Sequence, residues 1–320
     1  MIQNSNICIT GGAGFIGAVL VGALIEGNRI TVFDNFSRNA LQSYSYATHP
    51  NLTIIKGDVC DFSEVEKAVC NADYIIHCAG IAGIDTVGLK PTRTLQVNMV
   101  GSFNVLEAAA RAGRAKRVIC FSTSEVFGGM AFSSSETDRS VIGAVGEARW
   151  TYAVSKLAEE HMAIAYYKER GLPATVLRPF NIYGPGQVGE GALKKFVEQA
   201  LSNAPITIYG DGTQIRAWCY VDDMVDGVLR CLENDRAVGE SFNIGNARSV
   251  ETIYGLANTV IRVLKSHSEI RFAPAASADI ELRIPCVRKA KEVLDFEAKV
   301  GLEDGILRTA RYYRDVSIAD

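Results

Sequence analysis

Short β-branched runs at 7–9, 30–33, 52–55, 74–77 and 118–121 alternate, over the first third of the chain, with segments whose apolar residues recur three and four apart, as at 65–69 and 100–110. The runs predict buried strands and the intervening segments predict amphipathic helices. That alternation is the pattern of an α/β, doubly wound parallel sheet of Rossmann type with helices on both faces. A long helical stretch from about 152 to 169, ended by Gly171 and Pro173, leads into a sixth run at 174–177. Beyond Arg178-Pro179 the texture changes. Helical windows near 192–202, 223–234, 250–266, 287–294 and 303–314, with short strands between them, predict a smaller, mainly helical C-terminal domain. The expected division is 1–178 and 179–320, with the chain interleaving between the two. Ser133-Ser134-Ser135 and the Gly/Ala-rich 141–148 predict a mobile loop ahead of the long helix, placed to cover a site.

Composition narrows the function. With 48% hydrophobic and 22% charged residues the chain can fill a continuous core, which excludes disorder. Against 36 Asp and Glu stand 33 Lys and Arg, a net charge of −3, so no basic excess draws a nucleic acid. The eight cysteines show neither a CxxC pair nor a histidine at zinc-ligand spacing, and read as reduced thiols of a cytoplasmic protein with no metal site. The longest apolar region, 18–25, is interrupted by Gly22, so no signal peptide and no membrane span are expected.

The first candidate chemistry follows the first strand. Gly11, Gly14 and Gly17 stand at three-residue spacing between that strand and an apolar helix, where backbone without Cβ atoms can approach a pyrophosphate at a helix N-terminus. A second strand ends at Asp34, whose carboxylate suits a ribose 2′-hydroxyl and repels a 2′-phosphate. This points to NAD over NADP, with Arg38 pulling the other way. Farther on, Tyr152 and Lys156 lie four apart on one helix face, so the ammonium is expected to lower the phenol's pKa from ~10 and make Tyr152 a base. Alone, such a pair reads as a solvated helix surface. The strand 118–121 running into Ser122-Thr123-Ser124-Glu125 changes that, because open parallel sheets bind ligands where their strands end.

With TGGAGFIG at 10–17 and YAVSK at 152–156 stand GDV at 57–59, HCAG at 77–80, Asn98 in VNMVGSFNVLEAA, RPFNIYGPG at 178–186 and GDGTQIRAWCYVDD at 210–223. Nearly end to end, the chain resembles the extended short-chain dehydrogenase/reductases that act as nucleotide-sugar epimerases, dehydratases and decarboxylases. The resemblance implies an enzyme whose NAD site comprises Gly11, Gly14, Phe15, Ile16, Gly17, Asp34, Asn35, Asp58, Val59, Ala79, Asn98, Tyr152 and Lys156. It implies Thr123, Glu125, Tyr152 and Lys156 as the catalytic set, and Ser124, Asn181, Arg216 and Arg283 as contacts to a nucleotide-diphosphate sugar, a UDP-sugar foremost. It also implies a homodimer, through helices near 91–112 and 152–169. The chain departs from the family pattern at Arg216-Ala217-Trp218, which lacks the usual acid, and at Phe127, where tyrosine is commoner.

In this family a 4-keto sugar forms first, and the next step decides the product. Thr-Ser-Glu at 123–125, Arg149-Trp150-Thr151-Tyr152 and Arg283 in DIELRIP are similar to the UDP-glucuronate decarboxylases. The expectation is therefore a decarboxylase, ahead of a 4-epimerase and then a 4,6-dehydratase, whose pattern has Asp where Ser124 stands. An NAD(P)-binding regulator is the non-enzyme alternative, and intact Tyr152 and Lys156 speak against it. His49, His77, His161 and His267 are expected in core or surface roles, and Asp222-Asp223 as the cap of the next helix.

Overall fold

The computed structural model describes residues 2–274 and 280–319. Seven parallel strands form the main sheet, in the spatial order Ser241–Ile244, Ala174–Pro179, Arg117–Phe121, Tyr74–His77, Asn6–Thr10, Arg29–Asp34 and Leu52–Lys56. Burial explains the composition of the runs. Every residue of Arg117–Phe121 is covered, whereas the edge strand Leu52–Lys56 is largely exposed and ends in a lysine that discourages further pairing. Between Asn6–Thr10 and Tyr74–His77 the order reverses, which opens a crevice at their C-terminal ends.

The chain exchanges elements across residue 178 in both directions. Ser241–Ile244 completes the main sheet, and helix Val221–Glu233 packs against helix Phe15–Leu24. One core therefore joins Ile7, Leu20 and Val32 to Met224, Val228, Phe242 and Phe296. In return Met130–Ser134 joins Leu282–Pro285, Ile215–Ala217 and Val250–Thr252 in a four-stranded sheet. A separate core around Phe196, Trp218, Leu256 and Ile306 lies among helices Ala192–Leu201, Ile253–Leu264 and Leu302–Ala319.

Two expectations need correction. Ser133 and Ser134 end a strand and are not part of the expected loop. The partner strand lies about 150 residues away, and an irregular register beside Ile284 and Pro285, with Ser133 at φ 52°, hides the alternation that would mark a strand. Asp222 and Asp223 sit inside the first turn of Val221–Glu233, and Asp223 accepts from the amides of Lys299 (2.8 Å) and Val300 (3.1 Å), a long-range tether in place of the expected cap. No helix among the described residues is long and apolar enough to cross a membrane.

Candidate active site

The crevice is lined first by the glycine loop. Gly11 has φ +69°, and a Cβ there would come within 2.5 Å of Ala79 N; one on Gly17 would meet Gly11 O at 2.4 Å. These two glycines are required by the packing of the turn and helix. Gly14 is different: its Cβ would meet only Gly11 O, at 3.2 Å, so the fold leaves that side of the loop open. Gly14 also precedes helix Phe15–Leu24 with no side-chain cap on the first amides, which is the arrangement a pyrophosphate uses. Phe15 and Ile16 are partly buried and anchor the helix on the second core. These residues fit a dinucleotide.

Asp34 ends its strand with Oδ2 accepting from Ala13 N of the glycine loop (2.9 Å) and Oδ1 from Phe36 N of its own following turn (2.7 Å). Burial raises its pKa, and the Phe36 and Ala13 amides oppose that rise. Asn35 accepts from Ser37 N and shapes the same turn. Asp58 pairs with Arg93, a partner sequence reasoning missed; burial works against its carboxylate, but the Cys60 amide and Arg93 bring the pKa below the ordinary range. Val59 is buried against Gly101, and its carbonyl accepts from Asn104.

Asn98 lies in a π-helical turn, Gln96–Gly101, a local widening often found at functional sites. Its side chain is wholly buried and joins three segments: it accepts from Ile81 N (2.8 Å) and donates to Ile81 O (3.0 Å) and Ser155 Oγ (2.9 Å). Ser155 Oγ in turn donates to Tyr152 O at 2.7 Å. The loop leaving Tyr74–His77 is thus clamped to the helix Ala148–Arg170 that carries Tyr152 and Lys156.

Around Tyr152 the structure overturns an expectation: its pKa is raised, not lowered. Burial is the largest cause, and the carboxylates of Glu125 and Glu159 add to it against Lys156 and the Thr123 hydroxyl. Glu159, which sequence reasoning missed, accepts from Lys156 Nζ at 2.7 Å and offsets the ammonium. Its signal was a carboxylate on the 152, 156, 159, 163 face of a helix whose 153 and 163 positions are buried alanines. Burial disfavours the Lys156 ammonium, yet Glu159 and Tyr152 outweigh it and the pKa is raised.

Thr123 follows strand Arg117–Phe121, and its Oγ accepts from Glu125 N (3.2 Å), capping the turn Ser124–Phe127. Ser124 is buried in that turn. Glu125 Oε1 accepts from Arg149 Nη1 at 3.0 Å and Arg283 Nη1 at 3.1 Å, while Oε2 is buried with no hydrogen-bond partner. Arg283 also donates to Gly128 O (3.2 Å). Arg216 and Arg283 are register partners on adjacent parallel strands and both are buried, so a surface role is excluded for either. Asn181, at φ +42°, donates to Ala217 O (2.8 Å), tying the RPFN segment to the Arg216 strand. Phe127 packs on Phe180 and beneath the Arg178 guanidinium, which leaves no solvent face for a phenol. Asp279, first residue of DIELRIP, lies outside the described residues. His77 is a core residue held by Thr10 and Ser102, and no metal-ligating cluster occurs among the described residues.

Known proteins resemble this chain along nearly its whole length. A UDP-N-acetyl-alpha-D-glucosaminuronate decarboxylase of Bacillus cytotoxicus is 33% identical over 96% of this chain and 97% of its own. UDP-glucuronic acid decarboxylase 1 of Arabidopsis thaliana is 35% identical over 97% of this chain and 70% of its own. The crystal structure of a UDP-glucuronic acid 4-epimerase from Bacillus cereus, in complex with UDP-glucuronic acid and NAD, superposes with a TM-score of 0.89 at 27% identity, covering 97% of this chain and 99% of the other. The NAD dependent epimerase/dehydratase family model matches residues 7–245, a span that reaches from the first to the last strand of the main sheet. The glycine loop, the Tyr-Lys helix and these likenesses have a common origin: the chain belongs to the NAD-dependent epimerase/dehydratase family of nucleotide-sugar-modifying enzymes.

Proposed function

We propose that the chain is a decarboxylase of a UDP-sugar acid, UDP-glucuronate foremost, working through a transient 4-keto sugar with tightly held NAD. The observation that carries this reading is Glu125, drawn between Arg149 and Arg283 at the strand end that also bears Thr123. The decarboxylases among the relatives support it. NAD would be held by the loop Gly11–Gly17, by Asp34, Asn35, Asp58, Val59 and Ala79 around the crevice, and by Asn98, Tyr152 and Lys156 beneath the nicotinamide end. Asp34 favours it over NADP. When bound, its nicotinamide supplies a reversible hydride acceptor.

Tyr152, as phenolate, takes the proton of the sugar 4-hydroxyl, with the Thr123 hydroxyl sharing that oxygen and Lys156 stabilising the phenolate. Once C4 is a ketone, the carboxylate on C5 is β to it, and the electron pair left by departing CO2 moves into the ketone as an enolate. Protonation at C5 and reduction of C4, by the two electrons taken from it, give a UDP-pentose with no net redox change. Ser124 and Glu125 serve the sugar, while Asn181 and the paired Arg216 and Arg283 hold the diphosphate, since guanidinium forks match phosphate oxygens.

A UDP-glucuronate 4-epimerase is the second reading, favoured by the likeness to the Bacillus cereus enzyme. Product mass and NMR with UDP-glucuronate separate them: CO2 and a UDP-pentose support the first, and interconversion at unchanged mass replaces it with the second. We place the enzyme in the cytoplasm, since all eight cysteines are unpaired. Exposed Leu89, Val100, Phe103 and Val154 on neighbouring helical segments support a homodimer. Light scattering at the monomer mass would refute that.

A further inference from the structure

Glu159 is 0% exposed, and its Oε2 receives the Lys156 ammonium at 2.7 Å. Carboxylates are kept in such a place only with compensation. Burial raises the Glu159 pKa, and Lys156 is the first group opposing that rise, ahead of the Ser102 hydroxyl and the Phe121 amide. The other groups of this pocket carry little charge. His77, on strand Tyr74–His77, is held by Thr10 Oγ1 (2.6 Å) and Ser102 Oγ (3.0 Å), and burial pushes its pKa down to about 3. The thiols of Cys78 and Cys120, from the adjacent strand ends, are pushed up by burial and stay protonated. Glu125 faces Tyr152 from the turn Ser124–Phe127, but it is engaged by Arg149 and Arg283.

We propose that Glu159 is a positioning residue for the proton-transfer step: it fixes the Lys156 ammonium and cancels part of the positive charge that ammonium presents to Tyr152. This rests on the roles given above to Tyr152 and Lys156. Glu159 acts through Lys156 and touches no substrate. Its charge adds, after burial and Glu125, to a phenol that is harder to ionise than its lysine alone would make it. Tyr152 then keeps its proton until the bound cofactor and substrate alter the field.

The test is the pH dependence of kcat/KM for NAD-loaded protein with UDP-glucuronate, or with UDP-glucose where UDP-glucuronate is not turned over. Because the phenolate is the active form, activity rises with pH along an acid limb set by Tyr152. In Glu159→Gln the opposing charge is gone while the Tyr152 oxygen still favours the Lys156 ammonium against burial, and that limb moves to lower pH by about one unit. Glu159→Asp withdraws the carboxylate by one methylene and moves it the same way by less, and decides alone should Glu159→Gln not fold. Limbs coinciding with the wild type's, even with kcat lowered, or limbs moved to higher pH, overturn the proposal. Tyr152→Phe, run alongside, separates the two levels. Its turnover should fall at least ~100-fold with NAD affinity kept; preserved turnover would remove the reading of Tyr152 itself, whereas loss of turnover beside unmoved limbs would condemn Glu159 alone.

Discussion

Two carboxylates, the partly buried Glu125 and the buried Glu160, are each held by arginine, and they are held differently. Glu160 meets the fork of Arg178 with both oxygens, Nε at 3.1 and 3.0 Å and Nη2 at 2.5 Å, and also accepts from Ser241 Oγ at 2.9 Å. Its acceptor capacity is taken up by partners from two strands, and the result is a rivet joining the helix to both. Glu125 instead spends Oε1 on two arginines and leaves Oε2 without a hydrogen bond. A saturated carboxylate frames a structure, whereas one with a spare buried acceptor is suited to a ligand or a proton.

Substitution at the two positions should therefore fail in opposite ways. Glu160→Gln should cost about 3 kcal/mol of stability, since it leaves the buried Arg178 charge unpaired, while turnover per folded molecule holds. Urea melts and active-site titration check this; an unshifted melt would dissolve the distinction. Glu125→Gln should lower kcat for decarboxylation by roughly 100-fold with only a small loss of stability. Equal damage to both properties in both variants would mean that the two sites are of one kind.

Acid sharpens the contrast. Burial works against the Glu160 carboxylate, but Arg178 outweighs it and the folded-state pKa lies below the usual range. A depressed carboxyl stabilises the fold above its unfolded pKa of ~4.3 and loses that contribution as pH falls through the folded value. The melting temperature should accordingly drop below about pH 4, and Glu160→Gln should flatten that drop. The smallest effect is expected on the cofactor side: Asp34→Ala should weaken NAD binding about 10-fold and narrow the margin over NADP. Titrations with both cofactors decide it, and a wild type that prefers NADP would refute the assignment.

What could be read in the sequence follows from how local each signal is. Gly11, Gly14 and Gly17 act through one turn, Tyr152 and Lys156 through one helical turn, and the six strand runs each through their own burial, so a short window contains the cause of each. The strand character of Met130–Ser134 and the juxtaposition of Arg216 with Arg283 come from register between distant segments. Arg93 at Asp58 and Glu159 at Lys156 are charge pairs whose effect depends on burial that only the assembled fold supplies. The sign of the Tyr152 shift is hidden for the same reason: the ammonium is visible in the sequence, but the desolvation and the opposing carboxylates are not.

The strand exchange across residue 178 also bears on synthesis at the ribosome. After Ala174–Pro179 has been made, its outer edge stays unpaired until Ser241–Ile244 emerges. The 65 residues from Phe180 through Ile244 take roughly 3–13 s at ordinary translation rates. Until then helix Phe15–Leu24 also lacks its cover, Val221–Glu233. The nascent N-terminal half is therefore exposed to edge pairing with other chains for seconds in every round, a window in which chaperone supply, more than the stability of the finished enzyme, would govern yield.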